Sequence, residues 1–146
     1  MLEDGLWLIF VFREQVFVPT TARTKAGFYL GIEPVEVVAA RDRAAVEQAL
    51  MRVISRGNPS IPTPVRATFP KNPLLKYAKV KSDSSFDRQT KSWQLSKRDG
   101  AYFIIPHRPR KNRGKEEDTE RGEAIPAAVP LETVVRRLIG RALESQ

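Results

Sequence analysis

The stretch that most constrains this chain is VFVPTTARTKAGFYLGIEPVEVV, residues 16–38. It is rich in β-branched and aromatic residues and broken by two prolines and two glycines. Such a pattern specifies strands joined by turns, since proline removes a backbone donor and glycine tolerates a bulge. It reads as a short strand ending at Pro19, a polar loop over 20–25, a second strand around 27–32 and a third over 35–39. The first helix follows directly. Leu6 to Phe12 precedes this ribbon and is apolar at both alternating positions, as expected of a central strand covered on both faces. Arg13 and Glu14 turn the chain back toward Gln15.

Helical spacing takes over after Ala40. Asp42 is placed as an N-cap, Val46, Ala49, Leu50, Val53 and Ile54 form one apolar stripe, and Gly57 stands where a C-terminal cap belongs. From Asn58 to Pro73 five prolines rule out long regular structure, leaving an ordered connector or an extended arm. Pro59 also blocks the sequon-like Asn58-Pro59-Ser60. Leu74 to Val80 is a short strand or a turn of helix. Ser82 to Lys91 is a short helix capped by Ser82, Asp83 or Ser84 and anchored by Phe86.

A hairpin follows, 92–97 and 101–106 around Arg98-Asp99-Gly100, because Asp-Gly between apolar alternations supplies the positive φ of a tight turn. Residues 108–124 contain no large apolar side chain and divide into a basic and an acidic block, which predicts a mobile charged loop. Leu131, Val134, Val135, Leu138, Ile139, Ala142 and Leu143 then give a second helical stripe. The whole is an α+β single domain, 1–146: a mostly antiparallel sheet of about five or six strands with two main helices, about 43–56 and 131–144, on one face.

Composition narrows the function classes. The chain of 146 residues has no cysteine, which removes disulfides and thiolate metal sites and favours a reducing compartment, the cytoplasm. The apolar run at residues 6–12 is too short for an export core or a membrane span and follows acidic residues, so it reads as a strand. Net charge is +8 but unevenly spread. Residues 1–57 carry seven basic and seven acidic groups, residues 58–115 fourteen and three, and residues 116–146 four and seven. The middle segment attracts phosphate, anionic lipid or an acidic protein face.

Catalytic signatures are sparse. His107 is the single histidine, available as a general base or as the partner of a serine, yet no nucleophile or orienting carboxylate is identifiable beside it. A lone histidine of this kind is more often a surface residue. Glu33 and Glu36 read as flanking a strand entry rather than as paired acids. No phosphate-loop pattern occurs, no second histidine completes a metal site, and no cofactor is expected. Lys71, Lys76, Lys79, Lys81, Arg88, Lys91, Lys97 and Arg98 interleave with Tyr77, Phe86 and Trp93, and Arg108, Arg110, Lys111, Arg113 and Lys115 add a second cluster. That mixture resembles single-strand nucleic-acid binders, though the aromatics serve equally as core anchors under a solvated lysine face.

The ribbon at 16–38, the capped helix running into RGNPSIPTPVRATFPKNPLLKYAKVKS, and SSFDRQTKSWQLSKRDGAYFIIPHR together resemble the immunity proteins of bacterial contact-dependent growth inhibition systems. The likeness spans about residues 7–108 and the terminal helix, and rests on Pro19, Arg23, Gly27, Pro34, Tyr77, Phe86 and Trp93. It implies a non-enzymatic inhibitor that binds a cognate toxin domain in the cytoplasm. Contact would fall on the basic residues above or on the acidic loop Glu116, Glu117, Asp118, Glu120 and Glu123, filling a basic cleft. A basic module for single-stranded RNA or DNA, or a small ribonuclease using Lys, Arg and Tyr, are the other readings.

Overall fold

The structure, a computed structural model, describes residues 2–111 and 114–144. Strand β1 (Gly5–Phe12) is the centre of a largely antiparallel sheet. On one side it pairs with β2 (Gln15–Thr24), which pairs with the edge strand β3 (Tyr29–Ala39); on the other it pairs with β5 (Thr90–Arg98). Beyond β5 lies β6 (Ala101–Pro109), joined by the short strands β7 (Lys115–Glu117) and β8 (Glu123–Pro126). The two-residue β4 (Ser60–Ile61) runs parallel to the end of β2. Of the eight strands, these three short ones account for the difference from the five or six that the sequence pattern predicts.

Alternation along β1 sends Trp7, Ile9 and Val11 to one face and Phe10 and Phe12 to the other. The first face is covered by α1 (Arg43–Ser55) and α4 (Leu131–Glu144), the two stripes read from the sequence. Asp42 caps α1 by accepting from the Ala45 N–H (3.1 Å), and Gly57 takes the left-handed φ of 69°. The second face carries α2 (Leu74–Ala78) and α3 (Asp83–Gln89), packed on an aromatic cluster. There the Phe17 ring lies 5.9 Å from Phe12 and 6.5 Å from Phe86. The cover on this second face extends over β1 and β2 but only the beginning of β5.

The ribbon departs from its sequence pattern in two places. Pro19 does not end β2: the strand continues to Thr24, and the predicted loop over 20–25 is paired strand for most of its length. The missing donor is tolerated because the ladder to β3 shifts register between Pro19 and Thr20, while β1 pairs with β2 only as far as Phe17. Opposite, the two predicted strands are one, with the Glu33–Pro34 step, a cis peptide, taken up in that bulge. Similarly, residues 108–124 are not an irregular loop throughout. Among the described residues of this segment, Lys115–Glu117 form β7, Thr119–Arg121 a 3₁₀ turn and Glu123 the start of β8, edge elements held to β6 by backbone bonds.

Where β1 and β2 part, one side chain replaces the missing ladder. The Leu6 N–H donates to Asn58 Oδ1 (3.1 Å), and Asn58 Nδ2 donates to the carbonyls of Leu6 (2.8 Å) and Thr21 (2.9 Å). The Trp7 indole donates to the Gly57 carbonyl beside it (3.2 Å). Gly5 leaves room for this clasp: a Cβ there would lie 2.2 Å from Asn58 Oδ1 and 2.9 Å from the Trp7 ring. Replacing Asn58 by Ala strands three partly buried backbone groups and should destabilise the fold by roughly 2–3 kcal/mol. Gly5→Ala should also destabilise it. The double variant should cost less than the sum of the two, because removing the amide removes part of the clash. Urea unfolding of the three variants checks this, and strict additivity would dissociate Gly5 from the clasp.

Candidate functional site

The hairpin turn at Asp99-Gly100 has both residues at positive φ (52° and 74°), and it sets the register Arg98↔Ala101 through Trp93↔Pro106. Beyond Trp93 the strands diverge: β5 stays with β1 to Thr90, whereas β6 turns to β7. The gap becomes a cleft of about 760 Å³, walled by α3 (Asp87, Arg88), β5 (Thr90, Ser92) and β6–β7 (His107, Lys115). Arg110 and Arg121 also line it. Its volume is within the roughly 300–1,000 Å³ of small-molecule sites.

On the cleft floor a polar chain joins three strands. Ser92 Oγ lies 2.8 Å from His107 Nδ1, His107 Nε2 lies 2.8 Å from Gln94 Oε1, and Gln94 Nε2 donates to Glu117 Oε1 (3.1 Å). With the Gln94 amide directed at Glu117, its carbonyl oxygen faces the ring, so Nε2 carries the proton and Nδ1 accepts from the Ser92 hydroxyl. Burial, reinforced by the Lys115 ammonium, holds the imidazole down to about 4. The ring is therefore neutral at physiological pH. Geometrically this is a serine–histidine pair, but its orienting group is an amide with no charge to stabilise an imidazolium. It is a weak base near neutrality.

Lys115 fills the split between the strands, donating to the carbonyl and the hydroxyl of Thr90; burial lowers its pKa. Burial raises that of Asp87, against the pull of Lys115. The sequence contains the signal for the Ser92–His107 pair: counting back from Arg98 and forward from Ala101 in step brings the two opposite each other. Lys115 and Gln94 carry no such signal, since their roles depend on where β6 leaves β5.

The fifteen candidate contact residues separate into distinct groups. Arg88, Lys91 and Arg110 line the cleft, and Lys111 is exposed next to Arg110. Lys76 lies on α2, paired to Glu33 (2.6 Å) and over the Tyr77 ring, and Lys79 is the exposed left-handed cap of that helix with Lys81 two residues on. Arg98 stacks on Phe103 at the hairpin end. Lys97 is only 8 % exposed and donates to the Leu2 carbonyl, so it is an internal cation rather than part of a basic surface. Arg113 lies outside the described residues.

The acidic residues are not a free run. Glu116 and Asp118 pair with Arg108 (3.3 and 3.6 Å), Glu117 holds Gln94, and Glu123 pairs with Arg137 (2.8 Å) and Arg141 (3.5 Å). Glu120 remains exposed on the 3₁₀ turn. Phe86 and Trp93, 1 % and 3 % exposed, are core anchors and offer no stacking platform for bases. Among the described residues no group of three or more His, Cys, Asp or Glu could hold a metal, and no helix is long and apolar enough to cross a membrane.

No protein-family model and no curated protein matches the sequence. Solved structures do match the fold. A protein of unknown function from Neisseria meningitidis superposes with a TM-score of 0.64 at 10% identity, over 99% of this chain and 93% of that one. The CdiA-CT/CdiI toxin and immunity complex from Yersinia pseudotuberculosis gives the same TM-score of 0.64 at 11% identity, over 97% of each chain.

The neutral state of His107 makes stability pH dependent. Its folded pKa of about 4 lies below the ordinary 6.5, so between these values the unfolded chain binds more protons. Stability should be complete above 6.5 and fall by up to about 3 kcal/mol as the pH drops toward 4. Denaturant midpoints of the wild type and His107→Gln across this window check it. The variant should show a flatter slope, and parallel curves would remove His107 as the source. The fold that carries this site is thus shared with a chain of that toxin and immunity complex.

Proposed function

We propose that this chain is a non-enzymatic immunity protein of a contact-dependent growth inhibition pair, which binds a cognate toxin domain in the cytoplasm and neutralises it. The observation that carries the reading is the fold likeness to a toxin and immunity complex over 97% of both chains. The cleft chemistry is consistent with it, since the histidine there is a weak base at neutral pH. An inhibitor requires a preformed surface with apolar anchors and charge around them, rather than a nucleophile.

The surface that meets this requirement is the proline-rich arm. Val65 and Phe69 are 62 % and 54 % exposed, unusual for large apolar side chains, and Arg66 and Lys71 flank Phe69 in the chain. The Ala26 N–H donates to Thr63 Oγ1 (2.8 Å), tying the β2–β3 hairpin tip, with its exposed Phe28, to the same arm. Lys79 and Lys81, exposed after α2, add positive charge. A toxin presenting an acidic rim around an apolar recess fits this surface, and the positive field of residues 58–115 would speed the encounter. The acidic residues contribute less than their number suggests, because most are engaged within the fold.

The reading frame immediately upstream should encode the end of a large exported protein that carries the toxin domain; co-expression of this chain with that domain should restore growth, and the two chains should co-purify. Phe69→Ala should weaken the complex by about tenfold or more, about 1.4 kcal/mol, without lowering the thermal midpoint. Lys79→Glu with Lys81→Glu should slow association and reduce its salt dependence. If the toxin remains active with this chain bound or in excess, or if the purified chain cleaves RNA by itself, the reading fails.

A further inference from the structure

We propose that the cleft between the diverging ends of β5 and β6 is a binding site for a small phosphate monoester, its phosphate held by Arg88, Arg110 and Lys115. This goes beyond toxin neutralisation and does not rest on it. The first reason is how arginines are used across the molecule. Arg52 and Arg56 both bind Glu36 (each 2.8 Å), Arg137 binds Glu123 (2.8 Å) and Arg136 binds Glu47 (3.0 Å). Among the described residues, the side chains of Arg23, Arg41, Arg66, Arg88, Arg110 and Arg121 make no hydrogen bond, ion pair or ring contact, and of these six Arg88, Arg110 and Arg121 line one cleft. Guanidinium groups gathered without a counter-charge repel one another, and a bound oxyanion relieves that repulsion through paired N–H donors.

The second reason is Lys115. Its ammonium commits donors to the carbonyl and the hydroxyl of Thr90, which fixes it in the wall of the cleft and leaves one of its three donors unused. A half-buried cation immobilised in this way is a preorganised partner for an anion, because little side-chain freedom is lost when the ligand arrives.

Charge and size select the ligand. Arg88, Lys91, Arg110, Arg121 and Lys115 line the cleft with a single acid, Asp87, so a dianion balances the lining better than a monocarboxylate does. A phosphate monoester is close to a dianion at neutral pH. The cleft of about 760 Å³ is much larger than a phosphate, and Pro106 and Pro109 give it an apolar wall for the organic part of a small molecule. A nucleic-acid strand fits less well, because Phe86 is buried and Trp93, although it lines the cleft, is only 3 % exposed, too little to stack a base.

Isothermal titration of the full chain at low ionic strength, with inorganic phosphate, adenosine monophosphate, glutamate and a short single-stranded oligonucleotide, tests the site. Adenosine monophosphate should bind one-to-one with Kd below about 1 mM, more tightly than inorganic phosphate, and glutamate should not saturate. Arg88→Gln with Arg110→Gln, both exposed positions, should weaken binding at least about tenfold. Arg23→Gln with Arg66→Gln removes the same charge elsewhere on the surface and should leave Kd within about twofold. Equal weakening by the two pairs, absence of saturation, or binding of the oligonucleotide alone would overturn the proposal. Because no toxin is present in the titration, such a failure leaves the inhibitor reading intact.

Discussion

The structure depends on β1 being buried on both faces. A strand with Trp7, Ile9 and Val11 on one side and Phe10 and Phe12 on the other cannot lie at an edge or beneath a single layer, because either choice exposes large apolar side chains. Two covering layers are required, and they are unequal. The long amphipathic helices α1 and α4 cover the first face along its length. On the second face α2 and α3, five and seven residues long, cover only the aromatic cluster around Phe17 and Phe86. Past α3 the inward row of β5 changes to Thr90, Ser92, Gln94 and Ser96, buried polar groups that need partners of their own. His107, Lys115 and Glu117 supply partners for the first three of these. The cleft therefore begins where the hydrophobic cover stops.

Side-chain clasps then fasten the layers. Glu36 on the edge strand β3 receives Arg52 and Arg56 from α1, and Glu123 on β8 receives Arg137 and Arg141 from α4. In both cases arginine hydrogen bonds hold the carboxyl below its usual range despite partial burial. Exposed ion pairs contribute little singly, and Arg52 and Arg137 are more than half exposed, so these clasps orient elements more than they stabilise them. Asn58 differs because it satisfies backbone groups on two diverging strands, where water would otherwise have to enter the sheet.

The readable parts of this fold were those whose determinants are local. The Asp42 cap, the stripes of α1 and α4, the Ser82 cap and the Asp99-Gly100 turn each depend on residues within a few positions of one another. Pro19 was misleading because its cost depends on whether a neighbour needs its donor, and that neighbour, β1, is no longer paired there. The charged segment after β6 was misleading for a related reason: an edge strand needs backbone partners rather than apolar side chains, so β7 and β8 have no hydrophobic signature. At the candidate site, Ser92 and His107 follow from hairpin register, whereas the bend of β6 away from β5 has no counterpart in the local sequence. Burial also separates residues that composition groups together, Lys97 from Arg98 and Phe86 from Arg88.

That separation sharpens the meaning of the positive charge. The middle segment carries fourteen basic side chains, and among the described ones two physical kinds stand out. Lys76, Lys97, Arg98 and Arg108 are spent on Glu33, the Leu2 carbonyl, the Phe103 ring and Glu116. Their charge is locally compensated or their donors are fixed, so they add little to what an approaching molecule can bind. Lys79 and Lys81 after α2, and Arg88 and Arg110 at the cleft, remain solvent-facing on different elements. A long-range field sums over all of these groups and steers any anion. Recognition at contact depends on the uncommitted cations alone, and their division between an arm with apolar anchors and a walled cleft suits two ligands of different size. Exposed apolar side chains such as Val65 and Phe69 on an open arm suit a macromolecule, whereas a cleft with an immobilised ammonium suits a compact oxyanion.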